Sequence, residues 1–141
     1  MTESDLKKYR RYLHARELAA AALEEFEPSV YAPRTQKISP VPANHGGSGT
    51  DRLSLTLDRI ERLRQRVERL DELISASEEL LIFVADLLQT DTERDVLVYH
   101  YYKGLSISDT VKRIGCARSS YFNYKNRILE RIKGITYVIT E

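Results

Sequence analysis

Residues 106–128 read SISDTVKRIGCARSSYFNYKNRI, and this stretch decides the predicted fold. Ser106 with Asp109 three residues later marks a helix start, since short polar side chains satisfy the free backbone N–H groups of a first turn. Gly115 can adopt the left-handed backbone that ends a helix, and a further helix is predicted from about Arg118 to Lys133. A short helix, a glycine turn and a longer helix form the pattern of a helix-turn-helix.

The longer helix of this pair has two contrasting faces. Tyr121, Ile128 and Ile132, with Tyr124 or Lys125 between them, repeat at three- and four-residue steps and are expected to pack inward. The opposite face carries side chains that suit base edges in the major groove, because Arg pairs with guanine, Asn with adenine, and Phe meets a thymine methyl group. The predicted base contacts are Arg118, Ser119, Phe122, Asn123 and Asn126.

Basic side chains flank that face and are predicted to contact DNA phosphates, which adds affinity but little sequence choice. These residues are Lys112, Arg113, Lys125, Arg127 and Arg131. The whole chain is nearly balanced, with 22 basic and 21 acidic residues, but residues 103–133 are strongly basic. This local imbalance favours double-stranded DNA as the partner over the alternative interpretation of an ordinary solvated surface.

Upstream of this pair, Thr90 and Glu93 have the spacing of a capping box, in which each side chain bonds the backbone N–H of the other. The helix that they start is expected to end at Gly104. Five tyrosines are expected to lie in the core rather than to stack on bases: Tyr99, Tyr101, Tyr102, Tyr121 and Tyr124. Residues 90–141 are therefore predicted to form a helix-turn-helix DNA-binding domain.

A seven-residue apolar repeat between Leu53 and Leu88 predicts a long helix over residues 51–89 with a narrow apolar seam, as in coiled coils. The predicted oligomerisation seam is Ile60, Leu63, Val67, Leu70 and Ile74. Leu73, Leu80 and Leu87 widen the stripe in the second half, where we expect contact with the C-terminal domain. The seam could pack in cis against the first helix or in trans in a homodimer, and its strict pattern favours the homodimer or a helical hairpin.

Residues 1–27 are predicted to form an N-terminal helix, because good helix formers continue through them. Residues 28–50 contain all four prolines of the chain and are predicted to be a flexible linker. The predicted fold class is thus all-α: an N-terminal helix and a long coiled-coil-like helix, followed by the helix-turn-helix domain.

Several classes of function find no support in the sequence. The single cysteine and the three scattered histidines predict neither a disulfide nor a metal site. No nucleophile with a base, paired carboxylates or phosphate-binding loop can be assembled, so we expect neither an enzyme nor a cofactor. The longest apolar run, residues 80–85, is too short to span a bilayer. We therefore expect no membrane association and a cytoplasmic location.

Two segments carry a resemblance to known families. Residues 93–106 (ERDVLVYHYYKGLS), with Asp109, Gly115 and Tyr121 downstream, resemble the fourth conserved region of bacterial sigma factors without gaps. Residues 118–125 (RSSYFNYK), with a long helix upstream, resemble phage late-gene transcriptional regulators of the ArpU and RinA type. The resemblance implies an all-helical DNA-binding domain that activates transcription. Val111 and Ala117 depart from the sigma-like pattern, which places an alanine and a capping serine or threonine there.

Together, the residues and the resemblance predict a sequence-specific DNA-binding transcriptional regulator, specifically a phage or prophage late-gene activator with bacterial RNA polymerase as a candidate partner. One alternative is a DNA-packaging recognition subunit similar to a small terminase, which also joins a helix-turn-helix to an oligomerising helix. Another is a coiled-coil adaptor whose C-terminal domain binds protein. The sequence does not indicate the target DNA or distinguish activation from repression.

Overall fold

A computed structural model describes the backbone of residues 1–31 and 46–139 and the side chains of residues 1–26 and 52–139. This part of the chain is all-helical, as predicted, and contains no strand. Its elements are α1 (Glu3–Tyr31), α2 (Gly46–Leu87), α3 (Asp91–Val96), a π-helical segment (Leu97–Tyr102), α4 (Ile107–Ile114) and α5 (Arg118–Ile132).

The bounds of the first two helices differ from those predicted. Helix α1 continues past residue 27 to Tyr31, and α2 begins at Gly46 rather than at residue 51. Both ends fall inside the stretch predicted as a flexible linker, and the rest of that stretch, residues 32–45, lies outside the described residues. Pro28 lies in the last turn of α1, and Gly46, Gly47 and Gly49 lie in the first turn of α2, so these residues stand at the helix ends rather than outside the helices.

The chain forms two compact units, Met1–His14 with Asp71–Glu141 and Ala15–Leu70. In the second unit, Ile60 and Leu70 are only 1 % and 5 % exposed within the single chain. Two residues of the predicted oligomerisation seam are thus already covered without a second copy, whereas Leu63 and Val67 keep part of their surface exposed. Ile74, the fifth seam residue, lies in the first unit and is also partly exposed.

The core of the first unit joins the end of α2 to the C-terminal helices. Its buried apolar residues include Leu6, Leu73, Leu80, Leu81, Val84, Leu88, Val96, Leu97, Tyr101, Tyr121, Ile128 and Ile132. Leu73 and Leu80 of the second half of α2 are buried in this unit, while Leu87 is partly exposed. The expected packing with the C-terminal domain is confirmed at the end of α2, where the Tyr102 hydroxyl donates to Glu78 at 3.3 Å and Arg94 donates to the Ala85 carbonyl at 3.2 Å. Burial of this set excludes apolar surface from water and supplies the main favourable term for folding of the unit.

Side chains and glycines fix the helix ends near the C-terminus, largely as predicted. The Thr90 and Ser106 hydroxyls accept bonds from the backbone N–H of Glu93 (3.2 Å) and Asp109 (3.1 Å). Gly104 and Gly115 have positive φ values of 73° and 77°, which glycine adopts without steric cost. At the end of α2, Arg94 donates to the carbonyls of Ala85 (3.2 Å) and Leu88 (2.7 Å).

The helix that follows Thr90 is not α-helical throughout, which the sequence did not predict. From Leu97 to Tyr102 it is a π-helix, and the Lys103 N–H donates to the Val98 carbonyl at 2.8 Å instead of to a carbonyl four residues back. Consecutive tyrosines here both contact α1: the Tyr101 hydroxyl donates to Glu3 (3.0 Å), and the Tyr102 ring stacks on Tyr9 with centroids 4.9 Å apart. The wider turn thus presents two neighbouring aromatic side chains to one helix.

Candidate nucleic-acid interface

Helices α4 and α5 are joined by a short turn and pack on each other and on α3. The turn begins where the Gly115 N–H donates to the Val111 carbonyl at 2.9 Å. Helix α5 starts after Ala117, whose side chain makes no capping bond, in line with the departure noted in the sequence. The predicted order of short helix, glycine turn and longer helix is therefore present.

The inner face of α5 is the one predicted from its periodicity. Tyr121, Ile128 and Ile132 are all fully buried. The Tyr121 ring also meets the edge of the His100 ring, with centroids 5.7 Å apart, and burial raises the pKa of its hydroxyl to about 12. These contacts hold α5 against the rest of the unit and determine which of its sides faces solvent.

The outer face of α5 brings together all five predicted base-contact residues, and each of them is exposed: Arg118, Ser119, Phe122, Asn123 and Asn126. Phe122 is 38 % exposed, although one edge of its ring packs against Tyr121 with centroids 5.2 Å apart. The Arg118 guanidinium carbon lies 5.9 Å from the centre of the Phe122 ring, within the range of a cation–π contact. The face therefore combines a cation, two amides, a hydroxyl and an apolar ring.

Four of the five predicted phosphate contacts flank this face and are exposed: Lys112, Arg113, Arg127 and Arg131. Sequence reasoning missed a further cation beside them. Lys103 and Arg113 both lie over the Tyr99 ring, at 5.1 and 5.9 Å from its centre. Lys103 and Arg113 thus bring the end of the π-helical segment close to the end of α4, and no local sequence pattern indicates that these two cations are neighbours.

The far end of the outer face is electrostatically mixed. A groove of about 440 Å³ there is lined by Gln89, Glu93, Asn126, Arg127, Glu130 and Arg131. The Glu93 carboxylate is nearly buried and lies 4.0 Å from Arg127, so it faces a cation of α5. Because two carboxylates line this groove, its two arginines attract phosphate less strongly than the cations near Arg118 and Arg113.

Lys125 is a correction to the predicted set of phosphate contacts. Its ammonium group lies 2.9 Å from the Glu3 carboxylate of α1, and its side chain is only 20 % exposed. The periodicity of α5 left either Tyr124 or Lys125 on the inner side, and the ion pair with Glu3 holds Lys125 at the edge of that side. A phosphate would have to compete with Glu3 for this ammonium group, unlike for the four exposed cations.

Two ionisable groups beside α5 have displaced pKa values. Burial raises the pKa of the Glu3 carboxyl, but bonds from Lys125 and Tyr101 outweigh it, so the net pKa lies below the ordinary value. Burial lowers the pKa of His100, and nearby Lys125 and Lys7 lower it further. At neutral pH Glu3 is therefore charged and His100 neutral. The His100 Nδ1 atom lies 2.9 Å from the Leu105 carbonyl, which can only accept, so Nδ1 carries the proton.

No helix in the described part of the chain combines the length and apolar character needed to cross a membrane. Among the same residues, no three His, Cys, Asp or Glu side chains converge as a metal site would require. Comparison of the chain with protein-family models, with curated proteins and with solved structures found no match.

Proposed function

We propose that the protein is a sequence-specific DNA-binding transcriptional regulator whose helix α5 enters the major groove. The observation that carries the proposal is the division of α5 into two faces. Tyr121, Ile128 and Ile132 are fully buried, while all five side chains suited to base edges are exposed together on the opposite side. A recognition helix needs this division, because it must be held firmly by its domain while its outer side chains reach the bases.

The composition of the outer face supports readout of bases rather than general attraction alone. Arg118 can donate two bonds to guanine, and Asn123 and Asn126 can each pair with adenine through donor and acceptor atoms. Phe122 supplies an apolar surface for a thymine methyl group. Lys112 and Arg113, at the end of α4, are exposed beside this face and suit the adjacent phosphates.

The proposal extends to the role and the assembly of the protein. Its resemblance to phage late-gene regulators supports a phage or prophage activator, with bacterial RNA polymerase as a partner. A homodimer would place two α5 helices on one duplex and would favour a two-fold symmetric DNA site. Surface for a second copy remains on α2, where Leu53, Leu55 and Leu57 are exposed and Leu63 and Val67 are partly exposed.

Binding of the purified protein to duplexes from its own genomic neighbourhood, across a salt series, tests the proposal. The decisive variant is Arg118→Ala with Asn123→Ala. Because each good bidentate base contact contributes about 1–3 kcal/mol of discrimination, we expect the loss of two such contacts to lower the preference for the target over random DNA by roughly 30-fold or more. Weak, salt-sensitive binding to random DNA should persist through the remaining cations.

A matched control is Arg59→Ala with Gln65→Ala on α2, which also removes one guanidinium and one amide from exposed positions. This control should keep the preference of the wild-type protein. Absence of duplex binding at low salt would overturn the proposal. Light scattering adds a second check, since a ring of many copies would favour a DNA-packaging subunit over a dimeric activator. Intact function after loss of Arg118 and Asn123 would instead favour a protein-binding adaptor.

A further inference from the structure

A second basic surface lies outside the predicted interface, at the start of α1. It is a cleft of about 300 Å³ lined by Lys7, Arg10, Arg11, His100, Tyr101, Gly104 and Leu105. Three of these seven residues are cations, and they come from less than two turns of one helix. The sequence analysis assigned no role to the basic residues of this helix, because they become neighbours of Gly104 only in the folded unit.

The two arginines of the cleft are partly ordered by neighbouring oxygen atoms. Arg11 donates through Nη2 to the Ser4 carbonyl (3.1 Å) and to the Ser4 hydroxyl (3.3 Å). Arg10 Nη1 lies 3.5 Å from the Tyr102 carbonyl at the end of the π-helical segment. A guanidinium has five N–H donors, so each arginine keeps donors for a ligand. Partial ordering also lowers the entropy cost of binding.

The Arg10 side chain occupies the space beside Gly104, where a larger residue would have a side chain. A Cβ atom at this position would lie 2.5 Å from Arg10 Nε, so the Arg10 side chain would have to move away from the turn. The residue also has φ of 73°, a backbone conformation that favours glycine. The guanidinium of Arg10 therefore rests directly against the exposed backbone of the turn between the π-helical segment and α4.

The balance of charge leaves the cleft positive. Glu3 is the carboxylate beside Lys7, at 3.6 Å, but it is shared with Lys125 at 2.9 Å. Asp5, on the same helix, pairs with Lys8 at 3.2 Å. Lys7 and both arginines thus bring three positive charges to the cleft, and Glu3, which is shared with Lys125, offsets only part of the charge of Lys7. Such a group of cations in a concave surface attracts a polyanion more strongly than the same charges would when spread over a flat surface.

The ion pair between Glu3 and Lys125 also relates the cleft to the outer face of α5. Lys125 follows Arg118 by seven residues, which at 3.6 residues per turn is almost two full turns, so both lie along one side of the helix, at the border between the outer and inner faces. The start of α1 therefore borders the edge of the outer face that carries Arg118. A duplex held with α5 in its major groove presents a row of phosphates along each edge of that groove.

We propose that the cleft formed by Lys7, Arg10, Arg11 and the Gly104 turn binds backbone phosphates of the same DNA duplex that α5 reads. The inference rests on the proposed function and extends it, because it makes the N-terminal helix part of the DNA-binding surface. The cleft contributes affinity without sequence preference, whereas the outer face of α5 supplies the preference.

The test is the salt dependence of binding to a target duplex and to a random duplex of equal length. The variant combines Lys7→Gln, Arg10→Gln and Arg11→Gln. Each lost phosphate contact lowers the slope of log affinity against log salt by about 0.9, so the triple variant should lose about 2–3 in slope. Affinity for the two duplexes should fall by the same factor, which leaves their ratio unchanged.

Two control variants and a thermal melt interpret the result. Arg59→Gln with Arg62→Gln and Arg66→Gln removes three exposed cations of α2 that do not line the cleft and should leave the slope unchanged. Lys112→Gln with Arg113→Gln removes two flanking cations of the predicted interface and should lower the slope by about 1.8. If the wild-type protein bound DNA and a folded triple variant kept the same slope, the proposed role of the cleft would be refuted and the proposed function would remain. Absence of wild-type DNA binding would overturn both.

Discussion

Helix α5 has fifteen residues, and its inner and outer faces differ in burial, in polarity and in the number of contacts that they make. On the inner face, fully buried side chains contact their own unit, so a substitution there lowers the free energy of unfolding. On the outer face, exposed polar side chains and one ring have few contacts to lose. Substitutions on the outer face can therefore leave stability almost unchanged, whereas Lys125, at the border, belongs to the stable side.

The largest expected effect compares one residue from each face. Ile128→Ala removes a fully buried side chain and should lower the free energy of unfolding by about 2–5 kcal/mol, through lost burial and the cavity that remains. Asn126→Ala, on the exposed face, should change it by less than about 0.5 kcal/mol. Urea denaturation measures both. Equal losses in the two variants would contradict the division of faces.

The next largest effect concerns Lys125, which lies at the border between the two faces and is held there by Glu3. Glu3→Gln removes the charge that holds Lys125 and weakens the bond to Tyr101, so unfolding free energy should fall by about 1–2 kcal/mol. The released ammonium group should then become available to DNA and should steepen the salt dependence of binding by about 0.9 in slope.

Denaturation and a salt series on the same preparation measure both consequences of Glu3→Gln. Glu17→Gln, at an exposed position on the same helix, is the matched control and should alter neither. If Glu3→Gln lowered stability and left the salt dependence unchanged, Lys125 would be structural alone. If it changed neither quantity, the ion pair would not constrain the helix.

Local signals in the sequence predicted a large part of this region. Thr90, Ser106, Gly104 and Gly115 fixed helix ends because capping hydroxyls and left-handed glycines act within a few residues. The period of α5 predicted its buried and exposed sides, since a regular helix converts spacing into direction. These features depend on neighbours along the chain, which a single sequence displays.

The features that the sequence did not predict depend on distant parts of the chain. Lys125 was assigned to phosphate because its partner, Glu3, lies at the opposite end of the chain. The residues of the π-helical segment have no spacing that distinguishes it from an α-helix, and the α1 residues that Tyr101 and Tyr102 contact are about ninety positions away in the chain. The basic cleft joins α1 to the Gly104 turn, so neither segment indicates it separately.

A smaller effect concerns the start of α5, where both faces begin. Ala117 has φ of −76° and ψ of 156°, an extended conformation suited to a capping residue, but its side chain cannot accept a bond. Ala117→Ser should therefore raise the free energy of unfolding by about 1 kcal/mol, and Ser106→Ala should lower it by about the same amount at the start of α4.

Thermal or urea denaturation of the Ala117→Ser and Ser106→Ala variants measures these changes, and DNA binding at fixed salt adds a readout of the outer face. Since a cap stabilises the whole helix, the preference among DNA sequences should remain unchanged in Ala117→Ser. A changed preference would mean that the first turn of α5 adjusts its position on DNA and that the two faces are not independent there.

The smallest effect tests the inner face through pH. His100 packs against the Tyr101 and Tyr121 rings and donates to the Leu105 carbonyl. Its pKa lies below 6.5, chiefly because of burial, and the charged groups around it are Lys7, Lys125 and Glu3. The unfolded chain then binds a proton more readily, so stability should fall as the pH decreases through about 6.5 toward the folded-state pKa. His100→Gln should flatten this dependence between about pH 7.5 and 5.5, above the range in which carboxylates titrate, whereas His14→Gln, an exposed control, should retain it. Urea midpoints across this range give the comparison, and an equal slope in wild type and His100→Gln would mean that the inner face tolerates a charged imidazole beside Tyr121.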